Sequence, residues 1–365
     1  MASFYITLTK RCNLRCKYCY KVLDSLTDKR DMGLSEAEII LCKIKRYALE
    51  NKIERLDLGF TGGEVLLLGK TYLQNLFKLC QEILGDGRFK IRIYLQTNLT
   101  LVDEDFVKIF KDYKVAVDTS HDVVGEQRVN IAGGSVDKKI IDKIILMFKN
   151  DIRLVGSIVV INKYNYDRMR DIYDFYSQIA TDFHTLHLDP ASFRFYPKLT
   201  VKKYIKALKD LSRIYLFDSN PKISVQNIDS YVRLLKNGPG GHVLCTFSRN
   251  CLDGHLYIEN NGDVYPCDSL RYREFYMGNL LKMSIDELRR SKVLRKLSKR
   301  NHKIKKECGS CNYLSICNGG CMVLSYHEHG DPLRRSKFDC EVNRKMFPYL
   351  GRILKKRGCK LAVKI

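Results

Sequence analysis

A chain of 365 residues with 45% hydrophobic content can bury one sizeable core and a smaller appended module, so two domains are expected. Lys10 closes a start too short and polar for a secretion signal, and no apolar run approaches the roughly 20 residues of a membrane span; a cytoplasmic protein with no membrane partner is expected. The 64 Lys and Arg against 41 Asp and Glu give a formal charge of +23, which suits an acidic peptide, an acidic electron carrier or nucleic acid, and equally a lysine-rich solvated surface.

In chain order, short segments rich in β-branched and aromatic residues alternate with helical ones, the pattern of a parallel sheet wrapped by helices. Strands are predicted at Ser3–Thr9, Arg55–Phe60, Lys90–Gln96, Val115–Asp118, Leu154–Ile161 and Phe183–Leu188. Helices are predicted from Ser35, with Glu38 completing a capping box, and at about Lys70–Leu84, Val102–Asp112, Asp137–Asn150 and Asp167–Ile179. A helical stretch at Val201–Asp218 leads to Asn237-Gly-Pro-Gly-Gly241, a domain junction. Beyond it, Leu256–Glu259 and Asp263–Pro266 flank Asn260-Asn261-Gly262 as a hairpin, and the basic run Arg289–Lys306 reads as a solvated helix face.

Fourteen cysteines in a chain without a secretion signal argue against a disulfide scaffold and for metal binding. Cys12, Cys16 and Cys19 follow the first strand as C-x3-C-x2-C. Three thiolates on a four-iron cubane leave one iron open, whereas electron-transfer clusters are closed by four. A zinc site with a distant fourth ligand is the alternative. Thr61-Gly62-Gly63-Glu64 follows the second strand: glycines allow close backbone approach, and a carboxylate accepts from an ammonium group.

Together these motifs resemble the radical S-adenosylmethionine superfamily over Ser3 to about Leu188, with Val65 where the family usually has proline. The resemblance implies that the open iron chelates S-adenosylmethionine and that one electron releases a 5′-deoxyadenosyl radical, which abstracts a hydrogen from an unreactive carbon. It implies cofactor contacts from Gly62, Gly63 and Glu64, from Gln96 and Asn98 at the third strand end, from Asp118 or Ser120 to ribose, and from Arg128 to the carboxylate. Polar residues that merely end strands are the plainer reading of the last five.

Eight cysteines crowd the C-terminal part: Cys245, Cys251, Cys267, Cys308, Cys311, Cys317, Cys321 and Cys340. Eight thiols close two cubanes completely, which suits electron transfer or support; zinc binding by the C-x2-C pair is the alternative. The series looks like the SPASM domain, which implies interleaved ligation: Cys245, Cys251, Cys267 and Cys321 for the nearer cluster, Cys308, Cys311, Cys317 and Cys340 for the farther. Cys42 and Cys80 are expected to be buried small hydrophobes, and Cys359 lies in a basic tail. In sulfatase-maturing members an aspartate matching Asp268 takes a proton during substrate oxidation, a role that burial would favour by raising its pKa; orientation of backbone near Cys267 is the alternative.

The expected fold is therefore α/β, a partial (β/α)6 TIM-type barrel at 1–195, a helical linker at 196–240, a cysteine-rich SPASM domain with two iron–sulfur clusters at 241–345 and a basic tail at 346–365. Three [4Fe-4S] clusters and S-adenosylmethionine are the expected cofactors. The leading expectation is a maturase of ribosomal peptides, forming a crosslink, a thioether or an inverted centre. The alternative is an anaerobic sulfatase-maturating enzyme that oxidises cysteine or serine to formylglycine. Asp268 and overall length favour the alternative; the eleven residues before Cys12, the altered Gly-Gly-Glu-Pro and Ser120-His121-Asp122 weigh against it. The chain has no room for an added leader-binding domain, so recognition falls to the basic surface or to a separate leader-peptide-binding protein. An external flavodoxin or ferredoxin would supply electrons. RNA modification ranks last, since no RNA-binding module is seen.

Overall fold

The computed structural model describes residues 1–363 except Leu188, Phe195, His242 and Asn250. Leu188, the last residue of the sixth predicted strand, thus lies outside the described residues, as does the boundary residue Phe195. Packing divides the chain into two compact units that interleave in sequence: 1–121, 126–156 and 252–295 form the first, and 122–125, 157–251 and 296–365 the second.

In the first unit, β1 (Ala2–Thr9), β2 (Arg55–Gly62), β3 (Lys90–Gln96) and β4 (Ala116–Ser120) pair in parallel in that order. Phe4, Ile6 and Leu8 of β1 are fully buried, as period-2 alternation dictates for one face of a strand. Helices Leu34–Glu50, Lys70–Leu84, Glu104–Asp112 and Asp137–Lys149 connect or follow these strands and bury apolar stripes such as Leu73, Leu76, Phe77 and Cys80.

The chain's β5 (Gly156–Ile161) and β6 (Phe183–His187) pair in parallel, Ser157 to Ile161 against Phe183 to His187, within the second unit. Back in the first unit, β7 (His255–Ile258) pairs in parallel with the other edge of β1, and β8 (Asp263–Tyr265) and β9 (Gly278–Asn279) continue antiparallel. The predicted hairpin is β7–β8; Gly262 closes its turn at φ +84°, where a side chain would also strike Leu281 at 2.7 Å. This is the α/β, parallel-dominated architecture expected, followed by a cysteine-rich C-terminal region.

Several local expectations are corrected. The first long helix is capped two residues earlier than predicted: Gly33 N–H donates to Glu36 Oε2 at 2.9 Å, so Glu36 rather than Glu38 closes the end. Cys42 is exposed, because Ile40, Leu41 and Ile44 already fill that helix's buried stripe, whereas Cys80 is buried. Residues 201–216 and 226–237, within the stretch read as a helical linker, are helices as expected, but their Leu208, Leu211, Tyr231 and Leu234 belong to the core of the second unit. The stretch read as a basic tail begins inside helix Lys337–Lys356, which adds Met346, Phe347, Leu350 and Leu354 to that core. The basic run is broken into short helices, and Arg300 within it is only 7% exposed.

Candidate active site and cluster-binding cysteines

The loop after β1 carries Cys12, Cys16 and Cys19, and its backbone is laced to two neighbours in the first unit. Gly63 N–H donates to Thr9 O at 2.9 Å and Glu64 N–H to Arg11 O at 2.8 Å; Arg15 N–H donates to Val129 O and Lys17 N–H to Gln127 O at 2.8 and 2.9 Å. A Cβ on Gly62 would stand 2.2 Å from Thr9 O and one on Gly63 2.3 Å from Arg11 O, so both glycines are required by the chain's own cysteine loop.

Glu64 is fully buried and its carboxylate is occupied: it accepts from Leu66 N–H at 3.0 Å, Thr97 Oγ1 at 2.7 Å and Asn98 N–H at 2.7 Å. Through these bonds the side chain is a strut between the ends of β2 and β3. Burial raises its pKa, against the three donors, which lower it. Asn98 donates onward to Asn13 Oδ1 at 2.9 Å, and Asn13 to Thr100 Oγ1 at 2.9 Å, tying the residue after Cys12 to the same strand end.

Burial pushes the Cys12 thiol up to about 12; Leu14 N–H opposes this, and Glu64, Cys16 and Cys19 add to it. A thiol gives up its proton on binding a metal group, so ligation and deprotonation at this loop go together. Arg128, 7% exposed, donates to Tyr18 OH at 2.8 Å and lies close enough to Cys19 to favour its thiolate. Gln96 Nε2 donates to Ser120 Oγ at 3.2 Å. Burial raises Asp118 to about 6, opposed by Arg92. The predicted strand-end residues thus gather at the ends of β3 and β4.

Asp268 follows Cys267 and is clamped by cations. Tyr20 OH donates to Oδ2 at 2.6 Å, Lys21 Nζ lies 3.0 Å away, and Arg271 Nε is 3.4 Å from Oδ1. Burial would raise its pKa, but Lys21, Arg271 and Tyr20 outweigh that and hold it below the usual carboxylate range. The upward shift by burial that would favour a proton-taking role is thus outweighed by these partners. Lys21 also donates to Tyr257 OH at 3.2 Å, which shares a 2.5 Å hydrogen bond with Thr7 Oγ1, so β1, β7 and the cysteine loop hold one network. The sequence reading missed Tyr20, Lys21, Tyr257 and Arg271, whose only signal was position next to predicted ligands.

In the second unit, Cys308, Cys311, Cys317 and Cys340 line one small cavity with Tyr313, Arg335 and Asn343. Asn343 Nδ2 donates to Cys317 Sγ at 3.3 Å. Cys245, Cys251 and Cys321 belong to this unit, whereas Cys267 belongs to the first. Arg300, also unforeseen as a contact, donates to the carbonyls of Asn318, Gly319, Gly320, Pro332 and Arg334 at 2.9 to 3.2 Å, pinning the loop from Cys317 to Cys321. Asp339 accepts from Cys321 N–H at 2.6 Å. Among the described residues no group of three His, Cys, Asp or Glu is gathered to hold a single metal ion, and no helix is long and apolar enough to cross a membrane.

The profile of the Radical SAM superfamily matches residues 6–176, and that of the SPASM iron–sulfur cluster-binding domain residues 245–312. The chain is thus a radical S-adenosylmethionine protein with a SPASM domain, and S-adenosylmethionine and [4Fe-4S] clusters are its cofactors. It is 26% identical over 354 residues to a cysteine-type anaerobic sulfatase-maturating enzyme of Clostridium perfringens (strain 13 / Type A), covering 93% of each chain. A serine-type counterpart from Bacteroides thetaiotaomicron is 25% identical over 336 residues, 85% of this chain and 80% of the other. The solved structure of native anSMEcpe with bound AdoMet and Cp18Cys peptide shares the fold, with a TM-score of 0.83 at 22% identity over 97% of this chain and 98% of that one.

Proposed function

We propose that this enzyme oxidises a cysteine or serine side chain of a sulfatase-type protein substrate to formylglycine. The observation that carries the reading is the 26% identity to the cysteine-type maturating enzyme across 93% of both chains. It reverses the order weighed from sequence, in which a ribosomal-peptide maturase led.

In this reading Cys12, Cys16 and Cys19 hold the cluster with an open iron, and S-adenosylmethionine bound there supplies the hydrogen-abstracting radical. Gly62 and Gly63 shape the adjacent wall, Glu64 keeps it rigid, Arg128 brings positive charge towards Cys19, and Gln96, Asp118 and Ser120 offer donors and acceptors to a ribose. Cys308, Cys311, Cys317 and Cys340 hold one closed cluster, and Cys245, Cys251 and Cys321 give thiolates to the other.

For a cysteine substrate, loss of a Cβ hydrogen atom to the adenosyl radical, of the thiol proton, and of one electron, for which a closed C-terminal cluster would be the acceptor, leaves a thioaldehyde, which water converts to the aldehyde with release of hydrogen sulfide. Asp268, held in place by Tyr20 and Lys21, accepts the thiol proton. The test is anaerobic turnover of a peptide spanning the maturation site of a cysteine-type sulfatase, and of its serine variant, read by mass spectrometry for CH2SH or CH2OH replaced by CHO. Wild type is expected to form the aldehyde. Asp268→Asn is expected to release 5′-deoxyadenosine while forming product about 100-fold more slowly or worse. Nucleoside release by the wild type without aldehyde on either peptide would sink the reading.

A further inference from the structure

Helix Lys337–Lys356 places Lys337, Cys340, Glu341, Arg344 and Lys345 at i, i+3, i+4, i+7 and i+8, along a single face. Val342, Asn343, Met346 and Phe347 turn the opposite face into the core. With Arg335, those five residues line a shallow depression of about 410 Å3. Arg335, Cys340 and Arg344 also line the small cavity of Cys308, Cys311 and Cys317, so depression and cavity share a wall. Arg335 hydrogen-bonds Cys340 and is drawn electrostatically to Cys308.

Two cations, Arg335 and Arg344, therefore line the four-thiol cavity itself, and Lys337 and Lys345 extend the charge into the adjoining depression, with Glu341 as its anion. The neighbouring Glu307 is spoken for, 3.1 Å from Arg335 and 3.7 Å from Arg334. A cationic helix stripe alone is usually a solvated face. This one differs because it shares a wall, Arg335, Cys340 and Arg344, with the cavity that four thiols line, and a cluster closed by four thiolates has no open iron for a ligand. What crosses such an edge is an electron.

We propose that Arg335, Lys337, Arg344 and Lys345, around Cys340, form the docking surface for an acidic one-electron carrier protein. The proposal rests on the reading that Cys308, Cys311, Cys317 and Cys340 hold a closed cluster. One electron leaves the reduced carrier, which is oxidised by one equivalent, and enters at the Cys340 edge; no bond forms or breaks. At physiological salt the screening length is about 8 Å, so carboxylates must come close to the stripe, and complementary charge acts chiefly on the rate of encounter.

The test uses the reconstituted holoenzyme and a recombinant flavodoxin as probe, with affinity and association rate measured anaerobically at low and at physiological salt. A triple variant Lys337→Glu, Arg344→Glu, Lys345→Glu is compared with Lys111→Glu, Lys138→Glu, Lys139→Glu, which carries the same net charge change elsewhere. The stripe variant is expected to bind at least about tenfold more weakly at low salt and to lose most of its salt dependence, while the other triple stays close to wild type. Equal weakening by both triples, an unchanged stripe variant, or a stripe variant that keeps the carrier but loses a substrate peptide each overturns the proposal. Iron counting on Cys308→Ala, Cys311→Ala separates the two levels: a loss of about four irons upholds the cluster reading whatever the docking result, and no loss removes that reading and the docking inference with it.

Discussion

Asp118 shows how one buried carboxyl couples stability to pH. Its carboxyl, at 3.8 when unperturbed, is raised to about 6 by burial despite Arg92. Between those values the folded chain holds more protons than the unfolded one, so stability falls as pH rises through the window, and the full cost is in place above about 6. A shift of about 2 units corresponds to at most about 3 kcal/mol. Asp118→Asn is expected to raise the melting temperature at about pH 8 and to change it little at about pH 4; equal shifts at both would refute the linkage. Glu64 makes the opposite case, with its donors all internal. Glu64→Ala strands Leu66 N–H, Asn98 N–H and the Thr97 hydroxyl, and is expected to cost about 2–3 kcal/mol in denaturant unfolding and to weaken S-adenosylmethionine binding measured by calorimetry.

At the level of elements, the cysteine loop owes its course to the turn after β2. Gly63→Ala places a methyl 2.3 Å from Arg11 O and 2.6 Å from Lys10 O, contacts that only a backbone shift relieves. Iron counting is expected to show about four irons fewer than wild type, with about eight retained in the C-terminal sites. Arg300 does for the Cys317–Cys321 loop what Glu64 does for the first, with carbonyls as partners in place of N–H groups. Arg300→Met leaves five carbonyls short of a donor and is expected to lower stability by more than about 3 kcal/mol. Arg300→Lys is expected to recover little of it, because an ammonium lacks the planar fork that reaches several carbonyls at once. Denaturant midpoints on the three proteins decide this.

For the molecule as a whole, interleaving of the two units in sequence governs what can be cut. A chain ended after residue 240 keeps β1 to β6 but loses β7, whose Leu256 and Ile258 register with Phe4 and Ile6. It also loses helix Lys337–Lys356 from the second core. Such a fragment exposes a long apolar strand edge and is expected to accumulate as aggregate, measured by soluble yield and size-exclusion chromatography. A monodisperse fragment would show instead that the first six strands suffice.

The sequence by itself determined the local features: strand and helix order, the β7–β8 hairpin, the three-cysteine loop, Gly62-Gly63-Glu64 and the eight later cysteines. Each is written in short-range periodicity, turn chemistry or ligand spacing. It left the partners of Glu64 and Asp268 unseen and misread Arg300 and the helix at 337–356, and only the tertiary structure decided these. The charge state of Asp268 depends on Lys21, 247 positions away, and the burial of Arg300 on carbonyls 18 to 34 positions away, distances over which no local pattern carries information. Spacing says which side chains are able to bind; the partners supplied by folding decide whether they are free to.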